Sequence, residues 1–179
     1  MVTVLMLAWS LSVTVQDSTS WPIAAPVRSS NAQIIALLLD GTRDSPTLKR
    51  LIDALDTTDG IVYVEAGTCH RGADKLNACL ANDVVAAGGR RYLRILVNLG
   101  RNRVDLTGSI GHELQHAAEV LSDRSVTSAR SMLAFYQDEG RNGARSFETS
   151  AAVDTGLSVA REIIASRRRA STTHGPSVD

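Results

Sequence analysis

Two histidines, His112 and His116, stand four residues apart in a stretch, Ile110 to Ala118, whose single charged residue is Glu113. On an α-helix, residues four apart differ by about 6 Å along the axis and by about 40° around it. Both imidazoles therefore leave the same face of the helix and can meet one ion. Because the flanking residues are uncharged, we expect this helix to be buried, with the remaining elements packed around it.

This spacing is the geometry of a two-histidine zinc site. Glu113 follows the first histidine and projects beside the metal, where its carboxylate can take a proton from a water molecule. The competing interpretation is a pair of surface histidines on an amphipathic helix. The uncharged flanks favour the metal site over that interpretation.

A catalytic zinc ion needs a third protein ligand and leaves its fourth position to water. One known pattern places a glycine three residues and a histidine six residues after the second histidine, but the chain has Glu119 and Ser122 there. Glu148 is the candidate instead, in a stretch of small residues that is predicted to begin a long last helix. Small neighbours would let that helix lie close against the first. The alternative is a surface glutamate.

Glu119 lies seven residues after His112 and three after His116, on the metal-facing side of the predicted helix. It is about 4.5 Å of helix rise beyond the second histidine. We therefore predict that Glu119 lies beside the ligands in the polar cleft, with direct ligation as the alternative. A carboxylate that accepts the free ring N–H of a ligand histidine would orient that ring.

Residues Gly111 to Glu119, together with Glu148, resemble the zinc metallopeptidases with the HExxH motif, and within them the gluzincin branch. The resemblance implies that His112, His116 and Glu148 bind one Zn²⁺ ion and that Glu113 is the general base. It also implies peptide-bond hydrolysis in a peptide or protein substrate. The implied fold is a minimal zincin-like α+β domain in which the strand before the active helix binds an extended peptide.

One position departs from the family pattern. Many gluzincins carry an aspartate four residues after the ligand glutamate, as a partner for a ligand histidine, and this chain has Ala152 there. A donor for the developing oxyanion is also expected in the reaction. Tyr136 is the candidate because it lies between the two ligand segments, and packing beside Phe135 is the alternative.

Two other classes of protein compete with a peptidase. Glu113 and His116 also form a Glu-x-x-His pair, which four-helix di-iron proteins use twice. No other glutamate of the chain has a histidine three residues on, so the second pair is missing. The other alternative is a zincin-like module that binds metal or serves as a scaffold without turnover. The intact Glu113 argues against that alternative, because a site without turnover needs no base.

The chain has 179 residues, of which 44% are hydrophobic, and this length suits one compact domain. Its 19 basic residues balance 19 acidic residues, so the formal net charge is zero. Nucleic acids and membrane surfaces attract proteins with a basic excess, so neither is a predicted partner. The short run Arg167 to Arg169 is interpreted as a solvated surface, and His70 and His174 as solvated residues.

Residues 1–30 resemble a secretory leader. Val2 to Val15 is mostly apolar, and the polar stretch Gln16 to Ser30 follows it. The apolar run is shorter than the roughly 20 residues that a membrane-spanning helix requires. We therefore expect a secreted or periplasmic protein with no stable membrane span. A buried N-terminal strand or helix is the alternative, and no Lys or Arg precedes the apolar run as a signal would favour.

Two cysteines, Cys69 and Cys79, fall in a loop-like segment. An even number of cysteines in an exported chain suggests a disulfide, and two independent thiols are the alternative. Their spacing matches no zinc ribbon, so no metal is assigned to them.

The remaining pattern predicts an α+β domain over residues 31–166 with a small antiparallel or mixed sheet. Asn31 to Leu39 could be a strand or a helix. Ser45 and Pro46 are a typical helix start, with an end near Gly60. The predicted strands are Ile61–Val64 and Tyr92–Val97, expected to be antiparallel neighbours.

The rest of the chain is predicted to be helical. Thr107 is expected to cap the histidine-bearing helix, which ends near Ser122. The further helices are Ser125–Asp138 and Ser146–Arg168, separated by a break at Gly140–Gly143. Residues 167–179 are expected to form a disordered tail.

Overall fold

A computed structural model of the chain describes residues 21–139 and 148–173. Its helices are α1 (Ala32–Asp44), α2 (Pro46–Asp56), α3 (Arg103–Ser122), α4 (Ala129–Glu139) and α5 (Ser150–Thr173). Its strands are β1 (Val27–Arg28), β2 (Gly60–Ala66), β3 (Cys69–Arg71), β4 (Asp74–Leu76), β5 (Ala78–Leu80), β6 (Val85–Ala87) and β7 (Arg90–Val97). The α+β class predicted from the sequence is confirmed.

The main sheet has the order β1-β2-β7-β5, and β6 also pairs with β7. Strands β2 and β7 are parallel, so the prediction of antiparallel neighbours was wrong. The connection between them contains β5 and β6, which both run antiparallel to β7 on its side away from β2. A two-residue turn at Gly88 and Gly89, both with positive φ, then reverses the chain, so that β7 runs in the same direction as β2. The sheet is therefore mixed.

The alternating pattern of the two long strands builds the core. Val62 faces Leu93 and Val64 faces Ile95 across the strand pair, and all four side chains are buried. They belong to one apolar cluster with Leu106, Ile110 and Leu114 of α3. Each such buried aliphatic side chain contributes roughly 1.5–3 kcal/mol. This cluster fixes α3 against the sheet.

Residues 21–30 pack against the sheet. Val27 in β1 is fully buried and pairs in parallel with Val62 of β2. The indole Nε1 of Trp21 donates to the carbonyl oxygen of Val27 at 2.6 Å. The leader over residues 1–30 stays a prediction, and residues 1–20 lie outside the described residues.

The helix starts are decided by side chains that accept backbone N–H groups. The Ser45 cap is confirmed, because its hydroxyl accepts the N–H of Leu48 at 3.1 Å. The Thr107 cap was wrong: the side chain of Asn102 accepts the N–H of Asp105 at 3.0 Å and caps α3 five residues earlier. Thr107 lies inside the helix, where its hydroxyl donates to the Arg103 carbonyl.

Two other helix boundaries differ from the prediction. The fourth helix begins at Ala129 rather than Ser125, because the N–H groups of Thr127 and Ser128 turn to the Ser131 hydroxyl. The last helix continues to Thr173, so the expected tail is helical over residues 167–173. Arginine is a good helix former, and an arginine run extends a helix readily. The predicted break at Gly140–Gly143 and residues 174–179 lie outside the described residues.

The last helix packs closely against α3, as its small residues predict. At Gly156 of α5, an added Cβ would lie 3.0 Å from the Cβ of His112 and 3.1 Å from the Gly108 carbonyl oxygen. Glycine at this position therefore permits the close approach of the two helices beside His112.

Candidate metal centre

The two histidines of α3 lie side by side, as their spacing requires. Their ring centroids are 4.8 Å apart in an edge-to-face arrangement. The side chain of His116 is buried and that of His112 is partly buried. Together with Glu113 they offer ligand atoms that all lie within 4.8 Å of one another.

Glu148 turns one carboxylate oxygen towards both histidines. Its Oε1 lies 2.7 Å from Nε2 of His112 and 3.8 Å from Nε2 of His116. This oxygen is buried and has no hydrogen-bond partner among the residues that the structure describes. The other oxygen, Oε2, accepts a hydrogen bond from Nη2 of Arg71 at 3.1 Å.

Glu148 precedes the last helix rather than lying on it, which corrects the prediction of a glutamate-bearing helix. The hydroxyl of Thr149 accepts the N–H of Ala152 at 3.1 Å, so Thr149 occupies the capping position. The helix begins at Ser150. The carboxylate therefore reaches the histidines from the link before α5.

Glu119 lies beside His116, as predicted from its place on the same helix. Its Oε2 is 3.0 Å from Nδ1 of His116, and its Oε1 accepts the hydroxyl of Thr149 at 2.8 Å. Burial opposes ionisation of Glu119, but these hydrogen bonds outweigh it and hold its pKa below the ordinary value. An ionised carboxylate has no proton to give, so Nδ1 of His116 donates and Nε2 is left to face Glu148.

The environment of His116 favours its charged form in this arrangement. Burial works against that form, but the hydrogen bond to Glu119 and the charges of Glu113 and Glu148 raise the pKa of His116 above its ordinary value. Ala152, at the position where the family pattern has an aspartate, is fully buried. The carboxylate partner of a histidine is instead supplied by Glu119 from α3.

Glu113 is held by the edge strand of the sheet. Its Oε2 accepts the backbone N–H of Leu80 in β5 at 2.7 Å. The neighbouring N–H, of Ala81, bonds the Arg94 carbonyl in β7, so the Leu80 amide points away from the sheet towards α3. Burial raises the pKa of Glu113 above its ordinary value. A carboxylate with a raised pKa is a better proton acceptor near neutral pH.

The edge strand beside the cluster is β5, not β7, which is the strand that directly precedes α3. The family resemblance implied that the preceding strand binds peptide, but β7 lies between β2 and β5 in the interior of the sheet. Its backbone is engaged on both sides, so it has no free edge for a peptide. That implication is corrected for this chain.

Tyr136 on α4 packs against His116. Its ring centroid lies 5.7 Å from that of His116, edge to face, and its hydroxyl donates to the His116 carbonyl oxygen at 3.3 Å. The side chain is buried, and burial raises the pKa of its hydroxyl well above the ordinary value. The hydroxyl thus contacts main chain in this structure, and the oxyanion role of Tyr136 stays a prediction.

Two neighbours of the cluster, Arg71 and the Leu80 amide, were missed by sequence reasoning. Arg71 lies on the β3–β4 hairpin, two residues after Cys69. Cys69 and Cys79 form a disulfide with their Cα atoms 6.0 Å apart, which confirms the predicted pairing. The disulfide joins the hairpin to β5, and it was the available signal that residues near Cys69 lie close to the site.

Two adjoining cavities meet at the cluster and form a groove along β5. The first, of about 300 Å³, includes the side chains of Leu76, Leu80, Met132 and Tyr136 in its lining. The second, of about 470 Å³, lies beside α5 and includes Ala78, Val153 and Leu157. His112, Glu113 and Glu148 border both cavities. The cluster therefore lies in the middle of the groove.

The donor set suits one metal ion. Ligand bonds of about 2.0–2.2 Å in a tetrahedral site place the ligand atoms roughly 3.4 Å apart. The separations of Glu148 Oε1 from the two histidine nitrogens, 2.7 and 3.8 Å, lie on either side of that value. A buried carboxylate oxygen without a hydrogen bond is costly unless another group satisfies it. A cation between these atoms would satisfy it.

Comparison with known proteins finds no matching family model, no matching curated protein and no matching solved structure. Among the helices of residues 21–139 and 148–173, none has both the length and the apolar character to cross a bilayer.

Proposed function

We propose that the chain is a zinc-dependent peptidase with a zincin-like fold, in which His112, His116 and Glu148 bind one Zn²⁺ ion. The observation that carries the proposal is the convergence of two imidazole nitrogens on a buried carboxylate oxygen that has no hydrogen-bond partner within residues 21–139 and 148–173. Two histidines and a glutamate are a donor set of catalytic zinc sites. Bound zinc supplies Lewis acidity, which polarises a carbonyl group and acidifies water.

Glu113 is the proposed general base. Its Oε2 is held by the Leu80 amide, which leaves Oε1, 4.0 Å from Nε2 of His112, to take a proton from water. The same oxygen can then return the proton to the leaving amide nitrogen. Glu119 keeps the His116 ring oriented through Nδ1.

The groove beside β5 supports a peptide substrate. An extended peptide laid along this edge would pass over Glu113 and the two histidines, because the cavities on either side meet there. Leu76, Leu80 and Met132 line the smaller cavity, so a large uncharged side chain suits it. The disulfide supports a secreted or periplasmic location, since such bonds persist in oxidising compartments.

Glu113→Gln separates the peptidase from a binding module without turnover. The amide keeps the size of the side chain and can accept the Leu80 N–H, but it cannot take a proton. We expect unchanged zinc content and a loss of peptide hydrolysis of about 10²–10⁴-fold. The assay uses the zinc-loaded full chain and a peptide library, with Glu65→Gln, an exposed glutamate on β2, as the matched control.

Equal hydrolysis by the Glu113→Gln variant would contradict the role of Glu113 as the base. Failure of the zinc-loaded unmodified chain to cut any library peptide would favour the binding module over the peptidase.

A further inference from the structure

We infer that Arg71 is a positioning residue that holds Glu148 in its metal-binding orientation. The inference rests on the proposed function, because it concerns the third ligand of the proposed zinc site. Among the described residues, Arg71 forms no hydrogen bond or ion pair with either histidine. It touches the opposite oxygen of the ligand carboxylate, with Nη2 3.1 Å from Oε2 of Glu148.

Glu148 needs such a partner because of where it lies. It precedes the cap of α5, so helical hydrogen bonding does not fix its backbone. A free carboxylate can turn either oxygen towards the histidines, or swing away from them. Because Arg71 binds Oε2 of Glu148, Oε1 is the oxygen that faces the Nε2 atoms of His112 and His116. It lies 2.7 and 3.8 Å from them.

The position of Arg71 is itself determined by the disulfide. Arg71 pairs with Asp74 in the β3–β4 hairpin, which is separate from the main sheet. Cys69, at the start of this hairpin, is bonded to Cys79 in β5. The strand β5 pairs with β7 and supplies the amide that binds Glu113. One covalent link therefore ties the partner of Glu148 to the strand that holds the proposed base.

The charge of Arg71 also suits this role. Glu113, Glu119 and Glu148 bring three carboxylates close to the two histidines. Arg71 lines both cavities of the groove, and no other described arginine or lysine lines either of them. Its guanidinium forms an ion pair with Glu148 and so offsets part of the negative charge that the three carboxylates bring to the cluster.

The test measures zinc affinity by competition with a chelator for the full-length chain and its Arg71→Gln variant. We expect Arg71→Gln to weaken zinc binding by about 10-fold or more, as removal of an outer partner of a ligand typically does. Arg71→Lys keeps the charge but loses the planar fork, so we expect it to restore part of the affinity. Arg43→Gln removes a similar exposed arginine–carboxylate pair far from the site and should leave zinc affinity unchanged.

A double-mutant cycle shows whether Arg71 acts through Glu148. In the Glu148→Ala background, Arg71→Gln should cause little further loss, because the side chain it positions is absent. The visible absorption of the Co²⁺-substituted protein should change in Arg71→Gln, since the orientation of a ligand carboxylate alters the metal geometry. A purely structural role for Arg71 would lower the melting temperature without changing this spectrum.

Three results would overturn the inference. Zinc affinity equal to that of the unmodified chain in Arg71→Gln would refute it and leave the proposed function standing. An equal loss with and without Glu148 would show that Arg71 acts by another route. Absence of zinc binding by the unmodified chain would instead overturn the proposed function, and the inference with it.

Discussion

Glu148 and Glu119 both contact a histidine of α3 but face different ring nitrogens. Glu148 directs Oε1 at the Nε2 atoms, which a metal would share, and no described residue forms a hydrogen bond with that oxygen. Glu119 contacts Nδ1 of His116 on the far side of the ring and accepts a second hydrogen bond from Thr149. In the proposed zinc site, Glu148 would be a ligand and Glu119 would orient a ligand histidine.

The two glutamates should therefore differ on replacement. We expect Glu148→Ala to lower zinc affinity strongly, because it removes one of three protein ligands. Glu119→Ala should lower it less, by about 10–100-fold, because the ring it orients remains. Competition with a chelator measures both affinities. Full zinc occupancy in Glu148→Ala would remove Glu148 from the ligand set and favour Glu119 in its place.

The residues of the site form two groups. Some lie close together in the sequence, and others are brought together only by the fold. His112, Glu113, His116 and Glu119 share one helix, so their arrangement follows from helical geometry and is predictable from spacing. Arg71 and the Leu80 amide reach the site through strand pairing and the disulfide. No local pattern encodes those contacts, because they depend on the order of strands in the sheet.

At the scale of elements, α3 is held at its C-terminal end by one buried side chain. Arg91 of β7 is 2% exposed and donates to Asp59 and to four carbonyl oxygens, those of Val120 and Leu121 in the last turn of α3 and those of Asp123 and Val126 just after it. Carbonyls at the end of a helix lack partners within it, so an arginine there satisfies them. Arg91 thus fixes α3 to the sheet.

This anchor predicts how stability depends on pH. The hydrogen bonds from Arg91 hold the pKa of Asp59 below its ordinary value. A carboxyl with a lowered pKa in the folded protein contributes stability above its unfolded pKa, about 3.9, and loses it as the pH falls through the folded value. We expect Asp59→Asn to cost on the order of 1 kcal/mol at pH 7, an amount limited by the partial exposure of Asp59.

Thermal unfolding of both proteins at several pH values checks this expectation. The difference in melting temperature between the unmodified chain and Asp59→Asn should shrink as the pH is lowered below about 4. A difference that stays constant or grows down to pH 2 would show that the charge of Asp59 does not stabilise the anchor.

The elements themselves were predictable where the signal is local. The Ser45 cap, the β-branched strand at Ile61–Val64 and the end of α3 all follow from short patterns. The parallel pairing of β2 and β7 did not, because it depends on β5 and β6, which are only three residues each. Strands that short carry too little periodicity to be identified.

For the whole molecule, the fold places one polar cluster between a sheet edge and two helices. The apolar cluster fixes α3 on the sheet, the last helix covers α3, and the disulfide-linked hairpin lies over the site. Helix α3, strand β5, the hairpin and the link before α5 each contribute a side chain or amide to the cluster. The central claim is that the cluster binds a single zinc ion.

The most direct test is the number of zinc ions bound per chain, measured by elemental analysis of the full-length protein after removal of free metal. We predict one zinc per chain in the unmodified protein and in His70→Ala, which changes an exposed histidine at the rim of the same cavity. We predict a loss of that zinc in His112→Ala and in His116→Ala, with unchanged helical content by circular dichroism. Equal zinc in all four proteins, or no zinc in the unmodified chain, would contradict the account.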